Sequence, residues 1–260
     1  MEENKNYSSV IPHLNIWRDY LKLSISVQDS TLKHFIYSSS SSDMEKLQNK
    51  PKDLNTIERS IYEKPNADII IQYFKLVNVY KKSILVTKDN WNYSSYTNIT
   101  SREIVDQFIA TCENLKHKSD DVFLKWRLLY VILRASHFNK YHALAIAKFE
   151  KYYGTFTKDN SLAQFWCEGV YGGAQIRMKH DDKGIYYSAR AFANCPDLHL
   201  ETMNTYLFSN RQWKSALPFC KNASDSIYVA MLEGANHPMP TMEFINMVYK
   251  TNPNSEVLTF

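Results

Sequence analysis

Residues 122–158 read VFLKWRLLYVILRASHFNKYHALAIAKFEKYYGTFTK, and the fold class turns on how this stretch winds. Turned at about 100° per residue, Val122–His137 is apolar on most sides, through Leu124, Leu128, Leu129, Val131, Ile132 and Leu133. The acidic pair Asp120-Asp121 stands before it, where the positive end of a helix dipole would lie. The pattern predicts a helix at the centre of a helical lobe. Tyr141–Tyr153 predicts a second helix packed through Ala143, Leu144, Ile146 and Phe149, with Gly154 placed to close it.

The same stretch concentrates charge. It holds Lys125, Arg127, Arg134, Lys140, Lys148, Lys151 and Lys158 against one acid, Glu150, for a net +6. The whole chain of 260 residues carries only +4, so the remainder sums to −2. Interleaved with these cations are Phe123, Trp126, Tyr130, Phe138, Tyr141, Phe149, Tyr152, Tyr153 and Phe156. On the first helix Arg127, Tyr130, Arg134 and His137 fall on one narrow stripe. On the second, Lys140, Lys148 and Lys151 lie on one side with Tyr141 and Tyr152. If the stripes share a groove, five cations face phosphates and Tyr130, Tyr141 and Tyr152 offer rings to bases. A charged stripe on a helix is more often its solvated face, and rings more often belong to the core; the one-sided sign of the charge favours the binding reading.

Working outward, the glycines stand at 154, 169, 172, 173, 184 and 234, and no proline occurs between Pro65 and Pro196. Asn66–Tyr153 therefore lacks both breakers and favours long regular elements. The predicted fold class is mostly α: a smaller N-terminal α+β lobe over residues 1–100, a larger all-helical lobe over 101–250, and flexible arms at 1–10 and 251–260. The β content rests on the alternation in Leu21–Gln28, on Phe35–Tyr37, and on β-branched Ser83–Thr87. Ser38–Ser42 reads as a loop or helix lead-in, Pro51–Pro65 holds a short helix, Asp68–Tyr80 fits helix or strand, and Asp89–Asn98 reads as a loop. Beyond Thr100, which forms a capping box with Glu103, helices are expected at Leu162–Val170, Ile185–Asn194, Leu198–Phe208, Arg211–Leu217, Asp225–Leu232 and Met242–Lys250. Ser161, Ser224 and Thr241 are the expected starts of the helices that follow them.

The hydrophobic fraction of 44% suffices for a folded core and argues against disorder. Cys112, Cys167, Cys195 and Cys220 are widely spaced, which predicts reduced, mostly buried thiols. The polar N-terminus lacks the apolar run of a signal peptide, and Leu128–Leu133 is too short to span a bilayer. A cytoplasmic protein without membrane contact is the expectation.

Chemistry-bearing clusters are sparse. His180-Asp181-Asp182 reads as a solvated turn ending at Gly184, not a metal box. Cys195, Asp197 and His199 are close in sequence, but catalytic groups converge in space. Tyr171-Gly172-Gly173 lacks the pattern of a nucleotide loop and reads as a turn between helices. His137 and His142, five apart, are expected on different faces. No catalytic residue, metal ligand or cofactor is predicted. The function these readings favour is non-enzymatic binding of single-stranded nucleic acid, RNA foremost, through Arg127, Tyr130, Arg134, Lys140, Tyr141, Lys148, Lys151 and Tyr152. Nucleocapsid-like self-assembly through the arms would accompany it. The alternatives are a helical scaffold that binds protein and, behind it, an enzyme whose site the sequence does not display.

Overall fold

The computed structural model describes residues 7–49, 52–84, 100–156, 162–236 and 242–251. The chain is mostly helical, and no strand occurs among the described residues. It divides into two compact units, Met1–Val131 and Ile132–Phe260. The division falls inside a helix, where the sequence suggested a boundary near residue 100.

The first unit contains α1 (Tyr7–Leu21), α2 (Asp29–Ser38), α3 (Ser41–Gln48), α4 (Thr56–Tyr62), α5 (Ala67–Val79), a π turn (Tyr80–Ile84), α6 (Arg102–Lys118) and the start of α7 (Val122–Phe138). The expected α+β character of this lobe is not found. In a strand, Leu21, Leu23 and Ile25 would share one face. Leu21 and Leu23 are buried, whereas Ile25 is 93% exposed. The alternation arises from a helix end followed by a turn: Leu23 N–H returns to Arg18 O, and Val27 N–H to Ser24 O. Phe35–Tyr37 belongs to α2, which buries Leu32, Phe35 and Ile36 at helical spacing. Asp68–Tyr80 resolves as α5 and the first residue of the π turn. Ser83 and Ile84 lie in that turn; residues 85–87 and the loop expected over Asp89–Asn98 lie outside the described residues.

Local chemistry explains the helix starts. Ser40 and Asp43 form a capping box on α3, and Asn55 and Glu58 form another on α4. Ser101, rather than Thr100, caps α6, and Asn222, rather than Ser224, caps α12 (Ala223–Ala235). Ser161 and Thr241 lie outside the described residues. Asp121 accepts N–H bonds from Phe123 and Leu124 at the start of α7, while Tyr20 Oη and Asn66 Nδ2 donate to its other oxygen. One carboxylate thus fastens α1, the start of α5 and the start of α7 around a core that includes Trp17, Leu32, Met44, Ile61, Ile70, Phe74 and Leu124.

The second unit holds the end of α7, then α8 (His142–Tyr153), α9 (Leu162–Arg177), α10 (Asp181–Asn194), a 3-10 turn (Pro196–Leu198), α11 (His199–Leu207), a 3-10 segment (Trp213–Phe219), α12 and α13 (Met242–Thr251). Helix α10 packs on α9, α11, α12 and the 3-10 segment. Gly172 lies within α9, not in a turn, because α9 and α10 touch there. A Cβ on Gly172 would meet Ser188 Oγ at 2.5 Å and Gly184 O at 2.9 Å. His180 is likewise the cap residue of α10, and Asp181 and Asp182 occupy its first turn. Tyr7–Val10 belong to α1 and Thr251 ends α13; the rest of both expected arms lies outside the described residues. Among the described residues no helix is long and apolar enough to cross a membrane.

Three helix ends turn through lysine. Lys22, Lys140 and Lys179 have φ of 55°, 64° and 67°. Each donates its N–H three residues back, and the next residue donates five back, as in Tyr141 N–H to Ser136 O. This double bond pattern closes α1, α7 and α9 by the Schellman geometry, which usually employs glycine. Gly154, at the end of α8, has φ of −78° and makes no use of its freedom.

Candidate nucleic-acid interface

The residues of the predicted stripe on α7 do not all face outward. Arg127 is 1% exposed in the first unit. Its guanidinium lies 3.5 Å from the Phe123 ring centroid and 5.1 Å from that of Trp17, and Nη1 donates to Phe123 O. A planar, weakly hydrated cation can be buried flat against rings in this way. Burial and the Arg127 charge together hold the nearby His13 imidazole down to about 3. Tyr130 is half-buried in the same unit.

In the second unit, Arg134 is half-buried, with its guanidinium 4.5 Å from the Phe138 ring. Lys140 is exposed and Tyr141 half-buried. Both precede α8, so the wheel that grouped them with Lys148 and Lys151 does not apply. Lys148 is half-buried and Lys151 exposed; the Lys151 Nζ sits 4.9 Å from the Tyr152 ring. Tyr152 itself is buried. Glu150, the lone acid of the stretch, accepts from Lys183 and Tyr171.

The left-handed Lys140 reverses the chain and brings His142 back onto His137. Their Nδ1 atoms are 3.1 Å apart, contrary to the expectation that the two rings diverge. Gly173 lies on the other side of the His137 ring: a Cβ there would be in ordinary contact, 3.4 Å from His137 and 3.6 Å from Thr205. One turn further along α9 is Arg177, whose guanidinium is 4.1 Å from the half-exposed Phe208 ring. Burial depresses both imidazoles, His137 to about 3; beside burial, His142 and then Arg177 and Arg134 act on His137, and Arg177 and Lys140 on His142.

These residues form a basic centre of Arg134, Lys140 and Arg177 around two neutral imidazoles, flanked by Phe138 and Phe208. The sequence offers Arg177, with Lys179, Lys183 and Arg190, only as an extension of the basic surface, and it does not single out Phe208. The available signal was the spacing of Gly173 and Arg177, four apart on one helix face, beside His137; it becomes legible only once Gly172-Gly173 is placed inside α9. Arg134 and Arg177 bring planar guanidiniums and Lys140 a point charge, the groups whose chemistry pairs with phosphate, and each guanidinium lies against a ring.

The other candidate clusters carry different chemistry. Burial pushes the Cys195 thiol up to about 12, which keeps it neutral, and His199 stacks on Phe192 at 4.3 Å. All four cysteines are free, three of them buried. Among the described residues no three His, Cys, Asp or Glu side chains gather to hold a metal ion. No family model, curated protein or solved structure matches the chain.

Proposed function

We propose that the chain binds single-stranded nucleic acid, RNA foremost, without catalysing a reaction on it. The observation that carries this reading is the gathering of Arg134, Lys140 and Arg177 near the His137–His142 pair, with Arg134 against Phe138 and Arg177 against Phe208. Like charges gathered at one place repel each other, and a polyanion relieves that repulsion while releasing its own counterions. Phe138 and Phe208 supply stacking faces without sequence readout. Lys148 and Lys151 on α8 extend the cationic surface, whereas Arg127 and Tyr152 serve packing. The reading keeps the protein in the cytoplasm, where its four thiols stay reduced.

The test is titration of a fluorescent single-stranded oligonucleotide at several salt concentrations. Binding should weaken steeply with salt, and the Lys140→Gln/Arg177→Gln variant should lower the slope of log K against log salt by about 0.7 for each cation removed. No binding at low salt, or an unchanged slope in the folded variant, overturns the reading. A partner that survives nuclease treatment and ignores these substitutions would favour the protein-scaffold alternative.

A further inference from the structure

We propose that a second site in the same unit, a cavity of about 510 Å³ floored by Arg190, is a nucleobase pocket that takes one uncharged, carbonyl-bearing planar ring. The proposal takes the single-stranded nucleic-acid reading as its starting point and assigns the base-holding role to residues outside the basic centre. The cavity is lined by Phe165, Arg190, Asn194, Asn222, Ser224, Asp225 and Tyr228; its size is within the ordinary range of ligand sites, and its lining is more polar than most.

Its floor is a buried charge cluster. Arg190 Nε and Nη2 donate to the two oxygens of Glu168, and Nη1 donates to Asp225. The two carboxylate side chains are 0% and 1% exposed, so the floor holds one positive and two negative charges in a poorly hydrated place. A phosphate would meet net negative charge there and is disfavoured. A cation fares no better. Glu168 already receives Tyr153, Gln164 and Arg190, and Asp225 receives Arg190, Tyr186 and the Lys221 N–H. The acceptors are engaged, and of the two charged lining residues the guanidinium is the more exposed, Arg190 at 18% against Asp225 at 1%. A neutral ligand pays neither penalty.

The groups left over describe that ligand. Three of the five guanidinium N–H donors of Arg190 are used, which leaves two. Asn194 Oδ1, Asn222 Nδ2 and the hydroxyls of Ser224 and Tyr228 make no hydrogen bond to the described protein, while Asn194 Nδ2 and Asn222 Oδ1 are held by Arg190 O and Asp225 N–H. Mixed donors and acceptors beside carbonyl-seeking N–H groups match the edge of a base. Phe165 and Tyr228 add aromatic faces. The bidentate Arg190–Glu168 pair fixes the floor before any ligand arrives.

The experiment measures uncharged nucleosides, guanosine and uridine among them, against the full chain by calorimetry and saturation-transfer NMR, with agmatine and inorganic phosphate as charged controls. A nucleoside should bind and the controls should not. Tyr228→Ala should weaken binding by roughly five- to a hundred-fold, the equivalent of one lost stacking contact, and Ser224→Phe should occlude the cavity; both positions are surface-accessible, and unchanged melting curves verify the fold. Lys140→Gln/Arg177→Gln should leave nucleoside binding intact while weakening the oligonucleotide. Absence of nucleoside binding at millimolar concentration, binding indifferent to both cavity variants, or a preference for agmatine or phosphate overturns the pocket even where the oligonucleotide binds. Nucleoside binding without oligonucleotide binding upholds the pocket and overturns the phosphate-centred reading.

Discussion

At the scale of single residues, the left-handed lysines and the buried arginine show how little side-chain type alone reveals. Lys22 and Lys179 hold φ values that cost an L-residue about 1–2 kcal/mol. Replacement by glycine removes that strain but adds about 0.4–1 kcal/mol of unfolded-chain entropy. Lys22→Gly and Lys179→Gly are therefore each expected to stabilise by up to about 1 kcal/mol, read as a rise in Tm of about 2–4 °C. A fall in Tm would show that the lysine side chains contribute more than their backbone costs. Arg127 makes the opposite case. The helical period sets it on one stripe with Arg134 and His137, yet a helical wheel gives an angle and not the group that packs against it. Trp17, more than a hundred positions away, is invisible to it. Arg127→Ala should cost about 2–5 kcal/mol by denaturant titration, as other buried large-to-small changes do, and Arg127→Lys should recover only part, because an ammonium cannot stack as a plane. Oligonucleotide affinity per folded molecule should not change in either variant.

At the scale of elements, the long helices were legible because the 3.6-residue period had many residues in which to declare itself. Val122–His137 and Tyr141–Tyr153 match α7 and α8 to within a residue or so at each end. The N-terminal misreadings came from windows too short to fix a period: Leu21–Gln28 spans a helix end and a turn, and Phe35–Tyr37 is three residues of α2. Gly172 and Gly173 were misread for another reason. A glycine pair signals either a turn or a close approach of backbones, and only the partner helix decides between them. Gly172→Ala should force α9 from α10, because the clash includes Ser188 N at 2.8 Å and Gly184 O as well as a movable side chain; the expected cost is about 1–3 kcal/mol. Gly154→Ala is the control, with helical φ and nothing within 4 Å of the added carbon. It should stabilise by about 0.4–1 kcal/mol. Urea midpoints for the pair should move in opposite directions, and a shared direction would refute the close-contact account.

At the scale of the whole chain, each unit encloses a histidine that the fold keeps neutral. His13, bonded through Nδ1 to Tyr37 Oη, belongs to the first unit, and His137, bonded through Nδ1 to His142, belongs to the second. Both are held near 3 by burial first; Arg127 adds to it at His13, and His142, then Arg177 and Arg134, add to it at His137. Nothing in the sequence distinguishes them from the other six histidines, since burial and the approach of Arg127 or Arg177 are products of folding. The consequence for stability follows from proton counting. Above about pH 6.5 the ring is neutral both folded and unfolded, so pH has no effect through it. Between about 6.5 and 3 the unfolded chain binds a proton that the folded one does not, and stability falls as the pH falls. The slope is about 1.4 kcal/mol per pH unit for each such histidine and levels off near the folded value. Asparagine can replace Nδ1 without titrating. His13→Asn should therefore flatten the acid dependence of hydrogen exchange within residues 7–131, and His137→Asn that within residues 132–251, each at some cost in stability at neutral pH. The assignment by unit is what the experiment checks. If His137→Asn left the acid sensitivity of α9 and α10 as steep as before, the neutral imidazole would not be the acid-labile group of the second unit. The cationic surroundings inferred for the basic centre would then lose their main electrostatic support. If the slope flattens, burial accounts for most of it, and Arg177 and Arg134, which add to burial and His142 at that ring, are the charges that a phosphate would compensate. Oligonucleotide binding should then reduce the loss of stability on acidification in the wild-type chain.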